Sequence, residues 1–214
     1  MRRIGGRFAA ALATALTLHA AGAQDAPAAR DAPAAFDRWD EARRLRYGYG
    51  MTAREDRAIR WYEAEARRGD PRAMHNYGLM LARGLGVPAD AEEGRRWLEE
   101  AFARGVAESA LALGAMAREG RGEAPDAARA AAFFRAAAEA GDSRGMHALA
   151  NLHAGGEGAP LSLSEAYAWW SLAADLGHPQ AEAARAAALA LLPGAALRDA
   201  EARLAERRAE RRGR

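Results

Sequence analysis

The chain of 214 residues contains no cysteine and no lysine. Without cysteine it has no disulfide, no zinc–thiolate or iron–sulfur site and no thiol nucleophile. Without lysine it has neither a Schiff-base amine nor a P-loop lysine, and all 31 basic side chains are arginine. Valine and isoleucine together number only 4. Because β-branched residues cover the faces of β-sheets, this scarcity argues strongly against a sheet core.

Alanine and leucine dominate what is present. Alanine supplies 61 residues and leucine 21, and half of the chain is hydrophobic. Alanine, leucine, arginine and glutamate are the best helix formers among the common residues. The composition therefore predicts an all-α protein.

The first 23 residues have the pattern of a secretory signal peptide. Three arginines (Arg2, Arg3 and Arg7) precede an apolar run over 8–21, and Ala21-Gly22-Ala23 then offers a small-residue cleavage site. We predict cleavage after Ala23 and a periplasmic or secreted mature protein. An uncleaved anchor is the alternative, although the run is short for a membrane span.

Cleavage at this site changes the charge of the chain. It removes three arginines and no acid, which leaves 28 arginines against 29 acidic residues, a net charge of −1. The basic pI of the precursor therefore gives little support to nucleic-acid binding, and we expect no nucleic-acid partner. Residues 24–35 alternate proline with small residues, and we interpret them as a flexible Ala/Pro linker.

The rest of the chain repeats every 36 residues. Three sets of glycines and one set of aromatic rings keep this spacing, and such a period indicates a repeat array. The four sets are Gly48, Gly84, Gly120 and Gly156; Gly50, Gly86, Gly122 and Gly158; Gly69, Gly105, Gly141 and Gly177; and Trp61, Trp97, Phe133 and Trp169.

Each unit is predicted to contain two helices. In the second unit, apolar residues at helical spacing predict helices over 71–83 and about 91–104, each ended by glycine. Small residues recur at one position of the first helix (Ala42, Gly78, Gly114 and Ala150), which predicts a close approach between helices. We place the repeats at 36–68, 69–104, 105–140 and 141–177.

The residues Ala73, Tyr77-Gly78, Gly84-Leu85-Gly86-Val87, Asp90, Trp97, Ala101 and Gly105 resemble the Sel-1-like repeat, a relative of the tetratricopeptide repeat. The resemblance implies a right-handed α-solenoid of about four 36-residue helix-turn-helix repeats. We expect two C-terminal capping helices over 178–208, the first spanning 179–192 and the second running from 195 to about 208. An arginine-rich tail over 209–214 then ends the chain.

The resemblance also places the first helix of each pair on a concave groove. Rows of residues 36 apart line that groove, and none belongs to the packing motif, so we expect them to be available to a partner. Arginines suit carboxylates and aromatic rings supply apolar contact, which predicts a protein or peptide partner of acidic character. A solvated face with no partner is the alternative. The predicted groove residues are Trp39, Arg43, Tyr47, Arg72, His75, Leu79, Arg83, Glu108, Leu111, Glu119, Arg144, His147 and Asn151.

The sequence contains no recognisable catalytic or metal motif. It has no Ser-His-Asp order, H-E-x-x-H or Walker sequence. His147 and His153 lie six residues apart, on different faces of one helix, and we interpret His153 as a packing residue. We therefore predict no metal and no cofactor.

The resulting prediction is a non-catalytic adaptor of the bacterial cell envelope that binds a protein partner in its groove. A module that binds peptidoglycan or another cell-wall glycan is the alternative. Some secreted relatives are cysteine-rich and have been described as β-lactamase-like, but a hydrolase is the least favoured reading because this chain has no cysteine.

Overall fold

A computed structural model describes residues 55–213 of the chain. The predicted signal peptide, the linker and most of the first repeat lie outside these residues and stay predictions. Within the described part there are nine helices and no strand. They are α1 (Glu55–Arg67), α2 (Pro71–Arg83), α3 (Ala91–Ala103), α4 (Glu108–Glu119), α5 (Ala127–Glu139), α6 (Ser143–Gly155), α7 (Leu163–Asp175), α8 (Ala181–Leu191) and α9 (Gly194–Arg212).

The helices follow the 36-residue period. Helices α2–α3, α4–α5 and α6–α7 form three complete pairs, each helix packing on its neighbours in the chain. Helix α1 is the second helix of the preceding pair, and α8 is the first helix of an additional half-repeat. This arrangement confirms the predicted all-α solenoid, in which each unit buries its apolar side against the next.

Periodic residues mark where each helix begins and ends. Three glycines end the first helices in the left-handed conformation, which costs a glycine little. Three short polar side chains accept a hydrogen bond from the first turn of the second helices, as N-caps do. The glycines are Gly84, Gly120 and Gly156, with φ of 69°, 71° and 70°. The N-caps are Asp90, Asp126 and Ser162.

Small residues allow α2 and α3 to approach closely, as predicted. A Cβ atom on Gly78 would lie 2.8 Å from the backbone oxygen of Gly94, and one on Gly94 would lie 2.7 Å from the backbone nitrogen of Ala82. Neither distance is possible for a real side chain without movement of the backbone. The helical cost of Gly78, about 1 kcal/mol relative to alanine, is therefore offset by close packing.

Buried apolar side chains extend along the whole described array, and the largest fully buried one is that of Trp170. One position of the second helix is buried in every repeat and carries Tyr62, Leu98, Phe134 and Trp170. At the C-terminal end Trp169 is buried beside Trp170.

Helix α9 closes the array by packing alongside α7. The Ser164 hydroxyl, at the start of α7, donates to the backbone oxygen of Ala196, and Arg208 binds Asp175 at the other end of α7. The two helices therefore run in the same direction. Glu165 binds the guanidinium groups of Arg203 and Arg207.

The two C-terminal helices differ in extent from the prediction. Helix α8 is shorter, beginning at Ala181 rather than at residue 179. Helix α9 is longer and continues to Arg212, so residues 209–212 of the predicted tail are helical. The residues there are good helix formers, and the contact between Arg208 and Asp175 holds this part of α9 on α7.

Candidate interaction surface

The solvent-facing sides of α2, α4, α6 and α8 form the surface that the sequence assigns to partner binding. We call it the groove face. Helices α2 and α4 are joined across it by a hydrogen bond of 2.9 Å between Nδ1 of His75 and the hydroxyl of Ser109. Ser109 itself is fully buried.

Helix α2 gives the groove face a basic character. Arg72 and Arg83 lie exposed in its first and last turns, and neither has an acidic partner among the described residues. They lie eleven positions apart, which is about 16 Å along a helix. Between them lie His75, Leu79 and Asn76, whose side-chain amide donates to the backbone oxygen of Arg72.

Helix α4 reverses that charge. Glu108 and Glu119, which are exposed, occupy the positions that Arg72 and Arg83 occupy in α2. Half-buried Leu111 lies between them and packs at the edge of the core. The groove face therefore passes from two arginines to two glutamates in one repeat.

In α6 the arginine is already paired. Arg144 binds the Asp142 carboxylate through both Nε and an η-nitrogen, at 3.1 and 2.7 Å. Burial of Asp142 opposes its ionisation, but the Arg144 side chain and two backbone N–H groups outweigh it and hold the pKa of that carboxyl below its ordinary value. Arg144 is thus less available to a ligand than Arg72 or Arg83.

Asn151 is engaged with the core. Its side-chain oxygen accepts a hydrogen bond of 3.0 Å from the indole Nε1 of Trp170, which is fully buried. Because an indole can only donate, this contact fixes the orientation of the amide and directs its NH₂ group away from Trp170.

His147 is buried and lies against a second histidine. Its ring stacks on that of His178, with centroids 4.4 Å apart and planes 15° from parallel. His147 is 8% exposed, and its Nε2 atom is buried without a hydrogen-bond partner. Burial lowers the pKa of His147 to about 4, and the neighbouring His178 adds to that effect.

Three of the predicted groove residues therefore need correction. The sequence predicts that all groove residues are available to a partner. The structure instead shows contacts with another repeat or the core for His75, His147 and Asn151. The burial of Trp170 is the sequence signal that could have revealed Asn151, because a buried indole N–H requires an acceptor. No pattern in the sequence indicated that Ser109 and His178 would be the partners of the two histidines.

The remaining predicted residues divide into two groups. Arg72, Arg83, Glu108, Glu119 and Arg144 are exposed on the groove face, where Leu79 and Leu111 are half-buried. Trp39, Arg43 and Tyr47 lie outside the described residues, and their place in the groove stays a prediction.

Over 55–213, no three side chains of the metal-binding types converge, and no helix combines the length and apolarity that a bilayer span requires. His153 is buried and bonds to the backbone oxygen of Pro160, which confirms its structural role.

Comparison with known proteins agrees with this geometry. Two solved structures are similar to the chain. One is a Sel1 repeat protein from Oxalobacter formigenes, 25% identical, with a TM-score of 0.59 over 65% of this chain and 56% of that one. The other is c5321, a protective antigen of uropathogenic Escherichia coli that displays an SLR fold; it is 27% identical, with a TM-score of 0.68 over 76% of this chain and 35% of that one. The chain thus spans about half or less of each of these proteins.

No curated protein matches the chain. The Sel1 repeat matches it four times, at residues 42–70, 71–106, 107–142 and 143–178. These segments cover most of the sequence and keep the period of the glycines and aromatic rings. The chain therefore belongs to the Sel1 repeat family.

Proposed function

We propose that this protein is a non-catalytic scaffold of the bacterial cell envelope, which binds an acidic segment of a partner protein along its groove face. Sel1 repeats generally mediate protein–protein interaction and are generally non-catalytic. The proposal adds a compartment, a surface and a kind of partner to that general role.

The observation that carries the proposal is the pair of arginines on α2. Arg72 and Arg83 are exposed and have no acidic partner among the described residues, whereas Arg144 is bound to Asp142. A guanidinium group can bind a carboxylate through two parallel hydrogen bonds. Acidic side chains spaced along a peptide could therefore reach both arginines.

The half-buried apolar residues supply the rest of the surface. Leu79 lies between the two arginines, and Leu111 lies one repeat further on. Such residues contribute affinity when a partner covers them, and the surface needs no large ordering before it binds. Glu108 and Glu119 favour a partner whose negative charge ends before α4.

The envelope location rests on the N-terminal sequence. Residues 1–23 have the charged start, apolar run and small-residue end of a signal peptide. A protein exported in this way would meet its partner in the periplasm or outside the cell.

Photo-crosslinking in the source bacterium tests the proposal. A photoreactive residue replaces Leu111 on the groove face in one variant and exposed Arg135 of α5 in the matched control, and mass spectrometry identifies the adducts. We expect one protein to be captured from position 111 only. The charge-reversed protein, Arg72→Glu with Arg83→Glu, should lose that adduct while its circular dichroism stays unchanged.

Two results would overturn the proposal. Equal capture from both positions would place the binding surface elsewhere, and capture that survives the double charge reversal would exclude an acidic partner. Glycan adducts at position 111 would instead favour a cell-wall binding module.

A further inference from the structure

The stacked pair of His147 and His178 joins α6 to the turn that leads into α8. His147 belongs to α6, and His178 lies in the short turn between α7 and α8. The backbone oxygen of His178 accepts a hydrogen bond from the N–H of Ala181, the first residue of α8. Movement of the His178 ring is thereby coupled to the start of α8.

A comparison with α2 shows that His147 lacks the hydroxyl neighbour that the equivalent histidine has. His75 occupies the same repeat position, and its ring nitrogen bonds to Ser109 of the next first helix. The residue at the position of Ser109 in α8 is Ala181, which is fully buried and has no hydroxyl. His147 instead stacks on the ring of His178, and its Nε2 atom has no hydrogen-bond partner among the described residues.

Few charges are available to stabilise an imidazolium at this place. Asp142 and Arg144 of α6 act on His178 with opposite signs, and they are bound to each other. Glu108 of α4 acts on Arg144. On the packing helices, the remaining acids of α7 and α8 are paired with arginines: Glu165 with Arg203 and Arg207, Asp175 with Arg208, and Glu182 with Arg185. On α5, Arg129 is paired with Glu99 and Glu123, while Arg135 and Glu139 are exposed.

Helix α8 is weakly held. Only two of its residues, Ala181 and Ala188, are fully buried, and both contribute small side chains. It packs on α7, and α9 also packs on α7 with little contact to α8. In contrast, α2 buries seven residues. A local change in charge is therefore expected to displace α8 more readily than α2.

We propose that the His147–His178 pair is a pH-sensitive latch, which ties the turn before α8 to α6 when both rings are neutral and releases this turn and the start of α8 on acidification. Protonation of both rings would place two like charges 4.4 Å apart, beside an arginine and with the nearest carboxylate already engaged. Displacement of the turn at His178 relieves that repulsion and hydrates both rings. Release of α8 would then change the C-terminal end of the groove face.

Hydrogen–deuterium exchange on the full-length chain tests the latch. Amides of 181–191 are compared with those of 71–83 at pH 7.5 and 5.0, after correction for the intrinsic exchange rates. His147 has a pKa of about 4 in the latched state and, once released, an ordinary value near 6.5. Linkage then predicts that the protection of α8 falls about 30-fold more than that of α2. Equal changes in the two helices would overturn the proposal.

Two matched variants assign the effect to the pair. His147→Leu introduces the residue that α4 carries at the same position, and it should keep α8 protected at both pH values. His75→Leu makes the same change in α2 and should leave the response of α8 intact. A full response in His147→Leu would overturn the proposal. If that variant does not fold, NMR titration of the rings in the wild-type chain decides, and an unshifted pKa for His147 would overturn the latch.

Discussion

Helices α2 and α6 carry a histidine at the same repeat position, but the two side chains have different surroundings. His75 is half-buried and hydrogen-bonded to Ser109 of the next repeat. His147 is buried, stacked on His178, and has an unpartnered nitrogen. The two helices also differ in their arginines, since Arg144 is bound to Asp142 and Arg72 has no acidic partner within residues 55–213.

This comparison shows that the two ends of the groove face differ in which of their polar groups are already bound within the protein. In the N-terminal half of this face, His75 and Ser109 bind each other, and Arg72 and Arg83 are exposed to solvent. In the C-terminal half, Asn151 accepts a hydrogen bond from the Trp170 indole, and Arg144 forms an ion pair with Asp142. The proposed acidic partner should therefore bind near α2, and the proposed latch should act near α8.

The largest effect is expected from the buried aromatic residue at the C-terminal half. Trp170→Ala should lower the free energy of unfolding by about 3–5 kcal/mol, because it leaves a large cavity and also strands the amide of Asn151. Leu98→Ala removes the side chain at the same position near α2 and should cost less. Urea denaturation followed by circular dichroism measures both. Equal losses would show that the two halves depend on this position alike.

The pH dependence of stability separates the two histidines. The pKa of His147 in the folded chain, about 4, lies below its unfolded value near 6.5, so the unfolded state binds more protons between these values. Stability is then complete above about pH 6.5, falls as the pH drops, and levels off below about 4. The loss from this group is about 3 kcal/mol.

Urea denaturation at pH 7.5 and 4.0, with His147→Leu as the reference, isolates this contribution. The variant should become more stable relative to the wild type as the pH falls, because it lacks the titrating group. A constant difference between the two proteins would contradict the shift.

Asn151 should affect stability through Trp170. Asn151→Ala leaves the buried indole N–H without an acceptor, which costs about 1–3 kcal/mol. In a chain that already carries Trp170→Phe, the same change should cost much less, since no indole N–H remains. A double-mutant cycle measures this coupling, and additive effects would mean that the 3.0 Å contact contributes nothing.

The smallest effect is expected from exchanging the residues that distinguish the two histidines. Ser109→Ala removes the partner of His75 and should cost about 1 kcal/mol. Ala181→Ser offers His147 a hydroxyl and should raise its pKa, which weakens the pH dependence described above. NMR titration of the histidine rings detects the second change. An unchanged pKa of His147 in Ala181→Ser would show that the missing hydroxyl does not set the difference.

Much of the fold could be predicted from particular residues. The three left-handed glycines at 84, 120 and 156 end the first helices where their spacing predicted. The small residues Gly78 and Gly94 lie at a close helix contact. Helix α9 was predicted too short, because the sequence pattern could not reveal that Arg208 binds Asp175 of α7.

The groove was less predictable than the fold. Exposure of Arg72, Arg83, Glu108 and Glu119 agrees with their place on the first helices. Periodicity, however, reports only which side of a helix a residue occupies, and it is silent about contacts between repeats. By period alone, His147 is equivalent to Leu111, and Asn151 is equivalent to Leu79, so the contacts of the two polar residues could not be predicted.

The sequence by itself determined the helical class, the 36-residue period and the positions of the turns, because these depend on local propensity and on residues that recur along the chain. Only the tertiary structure decided which polar groups stay exposed and which bind other groups of the protein. The reason is that hydrogen bonds such as Trp170–Asn151 and contacts such as His147–His178 join residues that lie apart in the chain. Their formation depends on how neighbouring repeats stack.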